Sequence, residues 1–149
     1  MFADTVTLFN FHEKSGKWFP TVLSGVDLQV DSGAKLSSPG TVDSADTVTL
    51  LIHSKSDKSV AVGTGEVKTR KSYLGPKAYA QCENPEVHFT FKTECDFFCE
   101  GEWPTSEPIV DDDYDSGFYD EVNKERDGVY AVKNSAFLQL IPHFEVGGR

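Results

Sequence analysis

The residue pattern points to a mainly β protein, a small β-barrel or sandwich built as a single domain over residues 1–149, with one short helix near residues 116–126 and long extended loops. Several segments alternate apolar and polar side chains with a period of two, as a half-buried strand requires. Clusters of Gly, Ser, Pro and Asp punctuate them at short intervals. Only the stretch around Phe118–Glu125 changes to helical spacing. At 149 residues the chain can bury about two thirds of its unfolded surface and needs no covalent staple to fold.

Taken in order, Asp4–Phe11 sets Thr5, Thr7 and Phe9 against Val6, Leu8 and Asn10, in residue types that favour strands. Ser15-Gly16 turns the chain and Trp18–Leu23 resumes in extended form, with Pro20 marking an edge or a bulge. After Ser24-Gly25, Val26, Leu28 and Val30 alternate with Asp27, Gln29 and Asp31, which gives one buried and one wet face. Residues 31–46, rich in Ser, Gly and Pro with only Leu36 and Val42 to bury, read as a flexible arm. Val48, Leu50 and Ile52 then share one face of a strand over Asp46–Ser54.

Residues 55–77 read as a second flexible arm. Lys55, Lys58, Lys68, Arg70, Lys71 and Lys77 stand there against Asp57 and Glu66. Val87, Phe89 and Phe91 predict a core strand, and Asp96–Trp103 another with a bulge at Gly101. Phe118, Tyr119, Val122 and Glu125 fall at helical spacing, Asp115 or Ser116 can cap, and Asp127-Gly128 stops the helix. Val129–Val132 and Leu138–Ile141 read as two strands joined at Lys133-Asn134-Ser135, and His143–Val146 closes the chain.

Charge is distributed unevenly. Residues 94–127 hold thirteen Asp or Glu against Lys124 and Arg126, while the whole chain carries a net charge of −10. The rest is therefore close to neutral. Phe97, Phe98, Trp103, Phe118 and Tyr119 lace the acidic segment, so it reads as a folded acidic surface and not as a solvated tail. A surface of this sign does not grip nucleic acid, although it suits a wall that a polyanion must slide past. The basic residues Lys55, Lys58, Lys68, Arg70 and Lys71 are candidates for meeting the acidic block of a neighbouring copy.

Constellations that carry chemistry are weak. Asp111, Asp113 and Asp115 alternate as in a calcium loop, but the glycine falls one place late at Gly117 and Val122 stands where a bidentate Glu is needed. An acidic entry to the following helix accounts for the same residues. Glu100 and Glu102 have no environment that would separate an acid from a base. GxSxG is absent, and Gly63-Thr64-Gly65 lacks the lysine of a phosphate loop. Cys82, Cys95 and Cys99 form no CxxC pair, and the histidines at 12, 53, 88 and 143 are scattered, so neither a disulfide framework nor a metal centre is expected. Trp18, Phe19, Phe97, Phe98 and Trp103 could build a sugar platform, but in a β-rich core they are packing residues. The expectation is a protein without catalytic residues or cofactor. The opening MFADTVTLFN lacks the marks of a signal peptide, and no apolar run approaches the ~20 residues of a membrane span, which leads to an expectation of synthesis in the cytoplasm and no membrane partner.

The segments MFADTVTLFN, KWFPTVLSGVDLQV, DTVTLLIHS, EGEWPTSEPIVDDDYDSGFYDEVNKERDGVYAV and IPHFEVGG resemble small neck proteins of tailed phages infecting Gram-positive bacteria, in the group of head-completion, head-closure or connector-stopper proteins. The resemblance covers most of the chain. It implies a β-barrel body, a homo-oligomeric ring between portal or adaptor and tail, loops that clasp neighbours, and packaged DNA passing through the lumen without sequence recognition. The protein would then reside in the virion neck. Asp111, Asp112, Asp113 and Asp115 would line the lumen or face the next subunit's basic arm. A tail terminator or tail-completion protein is the alternative within this class. A calcium- or carbohydrate-binding β-domain is the alternative outside it.

Overall fold

The computed structural model describes residues 2–31, 47–66 and 68–149. Among them the strands are β1 (Asp4–His12), β2 (Lys17–Asp31), β3 (Thr47–His53), β4 (Ser59–Val62), β5 (Thr69–Tyr73), β6 (His88–Phe89), β7 (Phe97–Glu100), β8 (Ile109–Val110), β9 (Val129–Leu138) and β10 (His143–Gly148). The helices are α1 (Pro76–Gln81) and α2 (Phe118–Glu125). Six antiparallel strands run β1-β7-β9-β10-β3-β2, and β2 pairs back onto β1, so the expected barrel-or-sandwich is a closed barrel. Closure removes edges that would otherwise invite pairing. β8 adds to the start of β2 outside the ring, and β4-β5-β6 form a separate sheet.

Two cores lie back to back on β1. Its inward residues Val6 and Leu8 join Leu23, Leu50, Phe98, Phe144 and their neighbours inside the barrel, and Val60, Phe89 and Phe91 of the small-sheet region pack into the same cluster. Its outward Phe9 stacks on Phe97 at 4.8 Å and meets Trp103 and Phe118 edge-on at 5.1 and 5.3 Å. Aromatic pairs in these geometries add to what their buried area contributes. The alternation read in the sequence is therefore real, but both of its faces are buried.

Several boundaries differ from the sequence reading. β2 is one strand through Ser24-Gly25, because Gly25 adopts φ +64° and the register against β1 slips there by one residue, a bulge that needs no break. Beyond that bulge Val26 is buried, Leu28 half-buried and Val30 exposed, so the wet and dry faces fade toward the end of the strand. Residues 55–77 are not one loose arm: β4 and β5 pair antiparallel, and Val60 lies in the core. A second helix, α1, begins on Pro76 and buries Tyr79. Val87 is exposed at the end of a 3-10 turn (Pro85–Val87), and only the two-residue β6 follows. β9 continues through Lys133-Asn134-Ser135 with a bulge at Lys133 against β10, and the chain turns at residues 139–142 instead. The arm assigned to residues 31–46 lies outside the described residues apart from Asp31.

A buried carboxylate ties the top of β1 to this frame. Asp96, with no exposed surface, accepts N–H bonds from Phe11 (3.0 Å), Lys92 (2.9 Å) and the Asn10 amide (2.9 Å), while its own carbonyl accepts from Val132 (2.9 Å). Asn10 also donates to the Thr90 carbonyl at 2.6 Å. Burial pushes the Asp96 carboxyl up to about 6, against the three N–H donors, which pull it down. Both side-chain oxygens must accept, so Asp96→Asn sets an amide NH2 against an N–H donor. The expected cost at neutral pH is about 1–3 kcal/mol in urea unfolding. An unchanged midpoint would show that the network holds nothing together.

Candidate functional site

The acidic segment is a ridge fixed on the barrel wall. β8 pairs Ile109 and Val110 with Trp18 and Lys17, and delivers the chain into a single 3-10 turn over Asp111–Asp113. The Asp111 carboxylate then accepts from the Trp18 indole N–H (2.8 Å) and from the Phe118 backbone N–H (2.9 Å) through the same oxygen. Asp111 is thus the cap of α2 from seven residues upstream, across Gly117, whose φ of +89° lets the chain enter the helix. Phe118 and Val122, one turn apart, are buried against Phe9, Phe97 and Trp103. α2 also carries Asp120 on the side away from Phe118, with Glu121 half-buried and Glu125 exposed at its C-terminal end. A hydrogen bond shared with Glu125, and after it the Glu125 charge, push the Glu121 carboxyl above its ordinary range.

Of the four Asp candidates, the structure gives Asp111 a structural role and leaves Asp112, Asp113 and Asp115 exposed. Among the described residues no three His, Cys, Asp or Glu side chains converge as a metal site requires. Trp18, Phe19, Phe97 and Phe98 are buried and Trp103 half-buried, with Arg126 stacked 4.7 Å over the Trp103 ring. The cysteines are free thiols.

The basic candidates sit on and around the small sheet. Lys58 lies 5.7 and 5.3 Å over the Tyr73 and Phe137 rings, Lys68 donates to Ser24 (2.9 Å), Arg70 donates to the Ser59 carbonyl (2.7 Å), and Lys55 is exposed. Lys71 donates to the Thr21 hydroxyl (2.7 Å) and the Pro20 carbonyl (3.4 Å). Burial depresses its amine to about 8. Lys71 lines a groove of about 460 Å³ between β2, the β4-β5 pair and residues 102–106, with Phe19, Pro20, Val22, Val62 and Trp103 as its apolar walls. The ion pairs found among the described residues are Lys14 with Glu83, Lys92 with Glu13, Lys133 with Glu94 and His143 with Glu145. None joins the Asp111–Asp115 ridge to the basic candidates, so the chain does not neutralise either set with the other.

The chain makes a turn between β9 and β10 where the sequence pattern predicts a strand over Leu138–Ile141. Leu140 is 98 % and Ile141 70 % exposed at its tip, with Leu138 at 40 % beside them. The only cue is Pro142, since Leu-Gln-Leu-Ile otherwise reads as a strand. His143 braces the tip: its Nδ1 lies 2.6 Å from the Ile141 carbonyl and its Nε2 3.2 Å from Glu145. These two acceptors, the carbonyl foremost, raise its pKa above the ordinary 6.5.

These features define a small closed β-barrel protein whose distinctive chemistry lies in surface charge and an apolar turn. The chain belongs to a family of unknown function (DUF6751), whose family model matches residues 1–149. No curated protein and no solved structure matches it. No helix among the described residues is long and apolar enough to cross a membrane.

The four Asp residues should separate cleanly on substitution. Asp111→Ala removes a helix cap and an indole partner and is expected to cost about 1–2 kcal/mol by denaturant melt, whereas Asp112→Asn, Asp113→Asn and Asp115→Asn should each stay within about 0.5 kcal/mol of wild type or stabilise. Equal costs at all four positions would contradict the capping role. The His143 brace predicts a pH dependence of defined sign. A folded-state pKa raised above the unfolded value contributes stability that is full below about 6.5 and is lost as pH rises through the folded value. His143→Gln should therefore lower stability at pH 5.5, by less than about 1 kcal/mol because solvent screens the pair, and match wild type at pH 8.5. A gap independent of pH would reject the brace.

Proposed function

We propose that the protein is a structural virion subunit of a tailed phage, part of the head-tail connector ring that closes the capsid after DNA packaging and joins it to the tail. Its partners are further copies of itself, the portal or adaptor on one side, tail proteins on the other, and packaged DNA, which passes the lumen without sequence recognition. The observation that carries the reading is the segregated charge: an acidic ridge held on the barrel wall and a set of basic residues on and around the small sheet, with no ion pair between them among the described residues. Opposite charges left on separate parts of one rigid body favour contact between copies and set its register. The likeness of most of the chain to neck proteins supplies the phage setting.

In this reading Lys55, Lys58, Lys68, Arg70 and Lys71 face the ridge of the adjoining copy, or Asp112, Asp113 and Asp115 face the channel, where like charge keeps DNA from sticking. Native mass measurement and negative-stain imaging of the full chain test the ring directly. A closed ring of one stoichiometry, loosening as salt rises from about 50 to about 500 mM because the charges are exposed, is the expected outcome, together with detection of the polypeptide by mass in purified virions. A chain that stays monomeric in every condition and is missing from virions would overturn the proposal.

A further inference from the structure

The apolar β9-β10 tip and the Lys71 groove have complementary properties and lie on opposite flanks of the barrel. In the closed order β1-β7-β9-β10-β3-β2, the β9-β10 hairpin is separated from the β1-β2 hairpin by β7 on one side and β3 on the other. The groove rests on β2 through Phe19, Pro20 and Val22. We propose that the Leu138–Ile141 tip of one copy seats in this groove of the next copy. The proposal rests on the ring reading above and specifies its contact.

Each half lacks an explanation within a single copy. A tight turn is normally built from Gly, Asn, Asp or Ser, which tolerate the backbone and the water. This one instead presents Leu140 and Ile141 to solvent on a His143-braced hairpin, a rigid apolar knob. The groove is concave: Phe19, Pro20, Val22, Val62 and Trp103 give it apolar walls around a free volume of about 460 Å³ that accepts two aliphatic side chains, with Lys71, Glu86 and Glu102 as its charged lining. Lys71 has three N–H donors, and the two acceptors found for it are Thr21 and Pro20, the second at a long 3.4 Å. An incoming turn brings backbone carbonyls and the Gln139 amide oxygen, the acceptors such an amine takes. A groove of about 410 Å³ beside Phe11, Trp18 and Tyr119 fits less well, because Ala131 and Lys133 of β9 line it and it shares the hairpin's own flank.

A knob on one flank and its socket on the other make a heterologous contact, which closes into a ring when the rotation per subunit allows and otherwise propagates as a filament. A symmetric face-to-face dimer would use neither. The acidic ridge remains outside this contact, and Lys71, seated beneath the knob, leaves Lys55, Lys58, Lys68 and Arg70 to face it; charge then steers and selects while the knob supplies the apolar centre that dominates binding energy.

The test uses the full chain with Leu140→p-benzoylphenylalanine, irradiated after assembly and mapped by peptide mass spectrometry. The expected product is a crosslink between copies onto peptides containing Phe19–Val22 or Trp103–Ser106. Leu140→Asp on the knob and Ser106→Trp in the socket, both at exposed positions, should each weaken self-association by roughly tenfold or more while leaving the melting curve of the dissociated subunit unchanged. Rings that form with crosslinks elsewhere, or that tolerate both substitutions, overturn the knob and socket and leave the ring standing. Absence of any assembly overturns both.

Discussion

The fold depends on β1 being buried on both faces. Its inward side chains, Val6 and Leu8, contribute to the barrel interior, and its outward Phe9 anchors a second, aromatic core with Trp18, Phe97 and Phe118. A barrel needs only the first of these. The second fixes everything functional on the outer wall, because Phe118 belongs to α2 and Trp103 to the loop beside the Lys71 groove. Thr7, between the two apolar sets, holds that loop by donating to the Gly101 carbonyl (2.9 Å) and accepting from the Trp103 N–H (3.0 Å). The acidic segment is thereby part of the folded body, fastened by the aromatic residues that lace it.

Charge then acquires a position. Asp111 is half-buried and carries two N–H bonds, while Asp112, Asp113 and Asp115, its neighbours in sequence, face water. The calcium-like spacing follows from this division and requires no metal: one carboxylate caps the helix and the alternate ones are carried along the turn. The same logic applies on the small sheet. Arg70 and Lys71 bond to their own fold through hydroxyls and carbonyls, which orients them. Oriented charges of opposite sign on separate parts of one rigid body suit recognition between subunits better than they suit stability of one subunit.

What could be read from sequence was whatever short-range pattern determines. Val48, Leu50 and Ile52 alternate and are buried, Ser15-Gly16 makes the first turn, and Phe118 with Val122 and the Asp127-Gly128 stop bounds the helix to within two residues. The failures share a cause in tertiary context. Gly25 looked like a terminus because a bulge and a turn have the same local signature. Lys133-Asn134-Ser135 looked like a turn, yet β9 continues through it beside β10 with a bulge at Lys133. Leu138–Ile141 looked like a strand because nothing in a run of aliphatic residues announces that no partner covers it. Asp96 gave no signal at all, since its role exists only once Phe11, Lys92 and Asn10 surround it. The acidic ridge was legible as charge, but its cap from Asp111 to Phe118 and the socket around Lys71 were not, because both join residues distant in the chain.

Hydrogen exchange on the full chain at neutral pH examines the doubly buried strand most directly. The amides of Glu121 and Arg126, bonded to Gly117 and Val122, should exchange only in openings that also release the outer wall of β1, giving α2 and β1 comparable protection as one cooperative unit. Free exchange throughout residues 111–126 alongside a fully protected β1 would mean that the aromatic layer does not fasten the ridge to the barrel, and the surface described here would have no fixed place on the protein.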